Sequence, residues 1–245
     1  TPLGEQDEEA AVLYGSHRFS AAFQLDAHYI YRHISATRSI GEDGNLHVPG
    51  FRASGTLLTN WDYFAESAVQ MGRKNGRDLA AWGFNGQIGF RAGGAWNHRF
   101  HLGYEYLSGD DPDSGQDEGW DPMWGRRARW SELMVFTFAP EAGGKRGYYS
   151  NLQRPNVGWT ATPLNRLELL LNYSALLALT NPNRSEMFSE EGRFRGHLVQ
   201  AVAKYRFSRN ITAHLWNEVF VAGDFYAGSN RDTATFFRAE INLSF

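Results

Sequence analysis

A chain of 245 residues with 42% hydrophobic and 15% aromatic side chains is long enough for one large all-β domain or two ordinary soluble ones. A net charge of -3 excludes a nucleic-acid binder that works by phosphate neutralisation, and the absence of cysteine excludes disulfides and thiolate metal sites. A mean hydropathy of -0.48, with the longest apolar stretch at 167–179 broken by Glu168, Asn172 and Ser174, argues against helical membrane spans but not against a barrel, whose strands show lipid one face only.

The opening residues, TPLGEQDEEA, carry neither a basic n-region nor an apolar h-region. They are expected to belong to a mature chain or a fragment, with 1–16 as a loop or chain start. From there the pattern alternates with period two, in segments of about ten residues or more separated by Gly, Asn, Asp and Pro clusters. Over 21–32, Phe23, Leu25, Ala27, Tyr29 and Tyr31 share one face while Gln24, Asp26, His28 and Arg32 share the other. Phe51, Ala53, Gly55 and Leu57 then oppose Arg52, Ser54 and Thr56, and Trp61, Tyr63, Ala65, Val69 and Met71 oppose Asp62, Glu66 and Gln70. Ala80, Trp82, Phe84, Ile88 and Phe90 oppose Asn85, Gln87 and Arg91, and Trp96, Phe100, Leu102, Tyr104 and Tyr106 oppose Arg99, His101 and Glu105.

Further strands are predicted over 126–138, 152–163, 165–177, 194–207, 211–223 and 234–245. The total is eleven, or twelve if 11–19 pairs separately. Aromatics gather towards segment ends, at Trp61, Trp82, Phe90, Trp96, Tyr104, Tyr106, Trp130 and Phe138, where interfacial girdles would sit. The connections at 59–60, 163–165 and 208–210 are tight, whereas 36–46, 108–125, 139–151, 178–192 and 224–233 are long, as for short periplasmic turns and long outer loops. The predicted fold is a single all-β domain over 1–245, a transmembrane antiparallel up-and-down β-barrel. The last segment, ATFFRAEINLSF, ends on an aromatic and resembles the signal by which the barrel-insertion machinery recognises its clients.

Taken in order, the segments FRASGTLLTNWDYFAESAVQMGR, LAAWGFNGQIGF, LGYEYLSGDDPDSGQDEGWDPMWG, ARWSELMVF, GHLVQAVAKYRFSRNITAHLWNEVFVAGDFY and ATFFRAEINLSF resemble the alginate-export family of outer-membrane β-barrel proteins. The resemblance covers the chain from about residue 17. It implies a barrel of sixteen to eighteen strands, hence N-terminal strands outside this chain, set in the lipid and lipopolysaccharide of a Gram-negative-type outer membrane. It also implies an arginine-rich lumen that passes an anionic oligo- or polysaccharide.

The polar faces themselves carry Arg52, Arg91, Arg99, Arg154, Arg166, Lys204, Arg206 and Arg238, and in a barrel that face is the lumen. Only Lys74, Lys145 and Lys204 among the 24 basic residues are lysines. Guanidinium groups suit carboxylates, although compositional drift in a GC-rich genome accounts for the bias equally well. Glu66 and Glu105 lie on the same faces, with Asp26, Asp62, Glu168, Glu218 and Glu240. For any one arginine a structural charge network is therefore the stronger reading.

The acidic run from Asp110 to Asp121 matches no EF-hand register and reads as a solvated loop, and His98 and His101 fall on opposite faces, so they cannot chelate one ion. There is no nucleophile elbow, P-loop or dinucleotide fingerprint; Gly83, Gly86 and Gly89 sit inside a strand, where close packing explains them better. No cofactor, metal or catalysis is expected. The expected function is a porin-like outer-membrane channel for an anionic polar solute, alginate-like by resemblance. The rival is a plugged docking barrel whose long loops hold a surface partner.

Overall fold

A computed structural model of the chain describes residues 8–36, 42–125, 128–138, 149–181 and 186–244. Eleven strands form one antiparallel sheet in sequence order: β1 (Glu8–Arg18), β2 (Gln24–Ile34), β3 (Gly44–Leu57), β4 (Trp61–Lys74), β5 (Arg77–Gly93), β6 (His98–Leu107), β7 (Leu152–Leu164), β8 (Leu167–Leu177), β9 (Phe194–Arg206), β10 (Ile211–Ala222) and β11 (Ala234–Leu243). Every strand has at least 10 residues, the length a tilted strand needs to cross a bilayer. Among the described residues β1 pairs only with β2 and β11 only with β10.

The expected number of strands holds, but its membership changes. Residues 8–18, partly assigned to a loop at the chain start, form β1 in full register with β2. Of the strand predicted over 126–138, the described residues 128–138 form none. Residues 128–133 are irregular, and Met134–Thr137 make a single helical turn, α1. Residues 126–127, 1–7, 37–41, 139–148 and 182–185 lie outside the described residues, as does Phe245, which carried the terminal-aromatic reading.

The tight turns have local causes. Asn75 and Gly76 join β4 to β5 with φ of 52° and 80°, the two positive values of a type I′ hairpin, so one connection at the long-loop end is short. At the other end, β5 leaves its register with β6 between Arg91 and Gly93, where Gly93 takes φ 71°.

The wall must curl. Asp121, in the connection between β6 and β7, touches Arg32 of β2 and Lys74 of β4, while Glu132 of the same connection touches Arg238 of β11. On a flat sheet β2 and β11 would lie about 43 Å apart at the usual strand spacing. The eleven residues from 121 to 132 would have to run extended, towards about 36–40 Å, to make both side-chain contacts across a flat sheet, and they turn instead at 123–124 and 129–130. The connection therefore crosses the inside of a curved wall, and the face it lies against is the inner one.

The outer face bears the predicted apolar set. Phe51, Met71, Trp82, Phe100, Leu102, Leu171, Leu215, Phe237 and Ile241 are all exposed there. Aromatic pairs gather near the short turns, Trp61 with Phe90 at 4.8 Å and Tyr205 with Phe207 at 4.7 Å, and towards the loop end, Trp82 with Tyr106 at 4.7 Å. Trp130 and Phe138 are not part of either band; they lie in the inward connection.

Inside, the loop end is apolar. Leu46, Val48, Leu79 and Ala81 form one buried cluster with Trp120 and Met123 packed on it; Leu107, Leu152, Leu176, Leu198 and Phe220 form another with Met134, Phe138, Phe225 and Tyr226. Each fully buried large side chain contributes about 1.5–3 kcal/mol to seating the connection.

Candidate functional site

Antiparallel register places inward side chains in lateral rows. One row runs Asp26, Arg52, Glu66, Asn85, Glu105, Arg154 across β2 to β7. A second runs Arg91, Arg99, Thr160, Leu170, Val202, Trp216, Arg238 across β5 to β11. A third, nearer the short turns, joins Glu168, Lys204, His214 and Glu240. Opposite charges as direct cross-strand neighbours attract, so most of the first and third rows is self-compensating, whereas the charged residues of the second row are arginines alone.

Arg91 and Arg99 break that rule, because two guanidinium groups stand directly opposite. Asp62 relieves them. Arg99 grips it with both edges, Nε to Oδ2 at 3.1 Å and Nη2 to Oδ1 at 2.5 Å, and Arg91 Nη2 reaches Oδ2 at 3.0 Å. One carboxylate serves two cations, leaving a local positive excess, and the Arg91 side chain remains half exposed.

The other predicted residues separate by role. Arg52 meets Glu66 at 3.4 Å with both half exposed, and lies over the Phe64 ring at 4.7 Å. Lys204 meets Glu168 at 3.6 Å in the open. Arg206 is exposed and has no ion pair among the described residues. These two line a cleft of about 510 Å³ at the short-turn end, together with Arg166, His214, Thr162 and Asn242. Arg166 also braces one turn to the next by donating Nη1 to the Phe207 carbonyl at 2.9 Å.

Arg154 and Glu105 make a buried pair at 2.8 Å, with the guanidinium 4.3 Å over Trp130, so they hold the inward connection. Arg238 is divided between Glu132 of that connection at 2.9 Å and Glu240 at 3.4 Å.

The inward connection is the feature that the alternation did not reveal. It is pegged on one side by Asp121, which meets Lys74 at 3.0 Å and Arg32 at 3.6 Å, while Gln70 donates to the Asp121 carbonyl and accepts from its amide. On the other side the fully buried Glu218 accepts from Ser131 Oγ at 2.7 Å, the Leu133 amide at 3.0 Å, the Glu132 amide at 3.1 Å and Gln200 at 2.8 Å. Gln200 also donates to the Trp130 carbonyl. A signal was present: Ile30, Leu46, Val48, Leu79 and Ala81 are apolar residues on the nominally polar face, and apolar groups there need a cover.

The acidic run is not simply solvated. Asp110 takes a two-pronged contact from Arg77 at 2.9 and 3.0 Å, and Asp121 is buried, while Asp111 and Asp113 stay exposed. No cluster fit to hold a metal ion occurs among the described residues. Burial raises the Asp117 carboxyl above its usual pKa, Lys74 opposing the shift, and pushes the Tyr149 hydroxyl up to about 12. Gly83 and Gly89 are explained by close packing. A Cβ on Gly83 would lie 2.8 Å from the Trp120 ring, and one on Gly89 would meet the Arg99 guanidinium.

Residues 5–239 match the alginate export family. The chain belongs to that family. Membership makes it a protein of the Gram-negative outer membrane that passes polar solute. Among solved structures, Pseudomonas aeruginosa OccK11 (OpdR) is similar in fold, with a TM-score of 0.56 at 13% identity over 96% of this chain and 58% of that one. The chain thus spans 58% of the OccK11 chain. The NanC porin aligns with a TM-score of 0.43 at 9% identity over 97% of this chain and 94% of its own. No curated protein sequence matches.

Proposed function

We propose that the inner rows conduct an anionic polysaccharide of the alginate type and leave it chemically unchanged, with Arg91 and Arg99 as the cationic station on its path. The observation that carries the reading is the two-to-one ratio of guanidinium to carboxylate at Asp62. Most other pairs on the wall are balanced, and a balanced pair exerts little field beyond the screening length of about 8 Å in physiological salt. An unbalanced guanidinium facing water attracts a carboxylate. Because exposed pairs are weak, a polymer can bind and leave.

A second reading, a plugged barrel that docks a surface partner, draws support from the connection seated inside the loop end. Conductance separates the two, since a docking barrel would show none. For the intact protein in a planar bilayer, reversal potential across a salt gradient is expected to show anion preference that weakens as salt rises. Changing Arg91 and Arg99 together to Ala should leave Asp62 uncompensated and move the preference towards cations. A cation-preferring parent, or a double variant with an unshifted potential, would remove these arginines from the pathway.

A further inference from the structure

We propose that Arg238 and Trp216 form a carboxylate subsite for a uronate-bearing sugar, and that Glu132 of the inward connection fills it as a surrogate ligand. The inference rests on the polysaccharide reading above and adds the residue that competes with the substrate.

Arg238 is fixed on two sides. Its guanidinium lies 5.1 Å over the Trp216 ring, and its Nε donates to His214 Nε2 at 3.1 Å, with Glu240 3.4 Å away. The Nη1 edge is therefore presented in a set direction, and Glu132 Oε1 meets it at 2.9 Å. An arginine held flat on an indole offers a carboxylate one charged edge and offers a sugar ring an apolar neighbour. A uronate unit carries both groups. Trp216 Nε1 is shielded from solvent and has no hydrogen-bond partner, so a donor stands at the same ring without an acceptor.

The Glu132 carboxylate is dispensable for seating its own loop. Residues 130, 131 and 133 hold the connection through Gln200 and Glu218, and Glu132 itself contributes its backbone amide to that hold. What its side chain adds is a carboxylate on Arg238. Both partners keep about a quarter to a third of their side-chain surface open, 26% and 32%, so a rotamer change of Glu132 vacates the edge without moving the loop. The rest of the pathway sees an arginine whose charge is masked until a carboxylate of higher local concentration displaces the internal one. A polymer with a carboxylate on every unit supplies that concentration.

The test measures binding of a short oligogalacturonate to the intact protein in detergent by intrinsic tryptophan fluorescence, with a maltooligosaccharide of equal length as the neutral control. It is run in 1 M salt, where screening falls to about 3 Å and only direct contacts survive. Glu132→Ala should bind the oligogalacturonate about tenfold tighter than the parent, the gain from one charge-assisted contact made available. Adding Arg238→Lys should abolish the gain while keeping the charge, because the ammonium lacks the planar edge. Asp78→Ala, which removes an equal charge beside Arg73 on the outer face, should leave affinity unchanged. No gain in Glu132→Ala, an equal gain in Asp78→Ala, or equal binding of the neutral sugar would each overturn the subsite. Reversal potential is an independent readout: an anion-selective parent with no gain in Glu132→Ala sinks the subsite alone, and a cation-selective parent with the gain sinks the pathway reading alone.

Discussion

Removing the Glu218 carboxylate should release the inward connection and widen the pore. Glu218 is fully buried and receives four hydrogen bonds, two per oxygen, three of them from consecutive residues 131–133. Bonds to a charged acceptor contribute about 1.5–3 kcal/mol each, but four bonds to one group act as a unit and do not add. In Glu218→Ala the hydroxyl, two amides and the Gln200 amide lose their acceptor in a site shielded from water, and the seat weakens by about 3–5 kcal/mol. That is about two to three and a half powers of ten in the ratio of seated to released loop. What remains is the Trp130 stack under Arg154 and the contacts of Met134 and Phe138. Glu218→Gln keeps the volume and one acceptor oxygen, so its loss should be about half as large. Single-channel conductance of the intact protein should rise in the order parent, Gln, Ala. The rate of tryptic cleavage after Arg129, which lies in the seated stretch, should rise in the same order. Parental conductance and parental cleavage in Glu218→Ala would refute the peg.

Two further outcomes follow from the wall and the loop. Leu171 sits at the middle of β8 on the outer face, half exposed, so Leu171→Arg should cost about 2–4 kcal/mol of stability in lipid vesicles; Ile241→Arg, near the end of β11, should cost about 0–1 kcal/mol. Equal losses in a urea titration of folding would refute the assigned depths. For Asp117, whose folded pKa is raised by burial, the protonated form favours the folded loop. Its contribution is complete below the unfolded value near 3.8 and is lost as pH rises through the higher folded value. Asp117→Asn should match the parent in loop protease resistance below that window and exceed it above, and parallel pH profiles would show that the carboxyl is not buried.

The barrel wall was legible because its cause is local. Alternation at Phe23–Arg32 or Phe84–Arg91 follows from the two faces of a single strand, and the inward positions of Arg52, Arg91, Arg99, Arg206 and Arg238 come with it. The stretch 126–138 was misread for the same reason. Trp130, Met134 and Phe138 are spaced like an outward strand face, yet Met134 and Phe138 are buried, and Trp130 half-buried, against Leu107, Leu198 and Phe220, residues far away in sequence that complete an apolar floor inside the wall. The ion pairs were less legible still. Whether Arg154 faces solute or a tryptophan depends on where a long connection travels, and no periodicity records that. Apolar residues on a polar face, such as Leu46 and Val48, mark that a cover exists without naming it.

The glycines along the inner rows bear on the bore itself. Gly89 lies beneath the Arg99 guanidinium, Gly158 beneath the His101 ring and Gly103 beside the Asn156 amide, each in direct lateral register with the strand that supplies the long side chain or its neighbour. A missing Cβ lets the longer side chain lie down along the wall instead of standing towards the axis. The charge of Arg99 is thereby laid flush with the backbone surface, much as a tile is bedded in mortar. A single methyl group at Gly89 would be enough to lift the Arg99 side chain off its bed and turn it towards the axis.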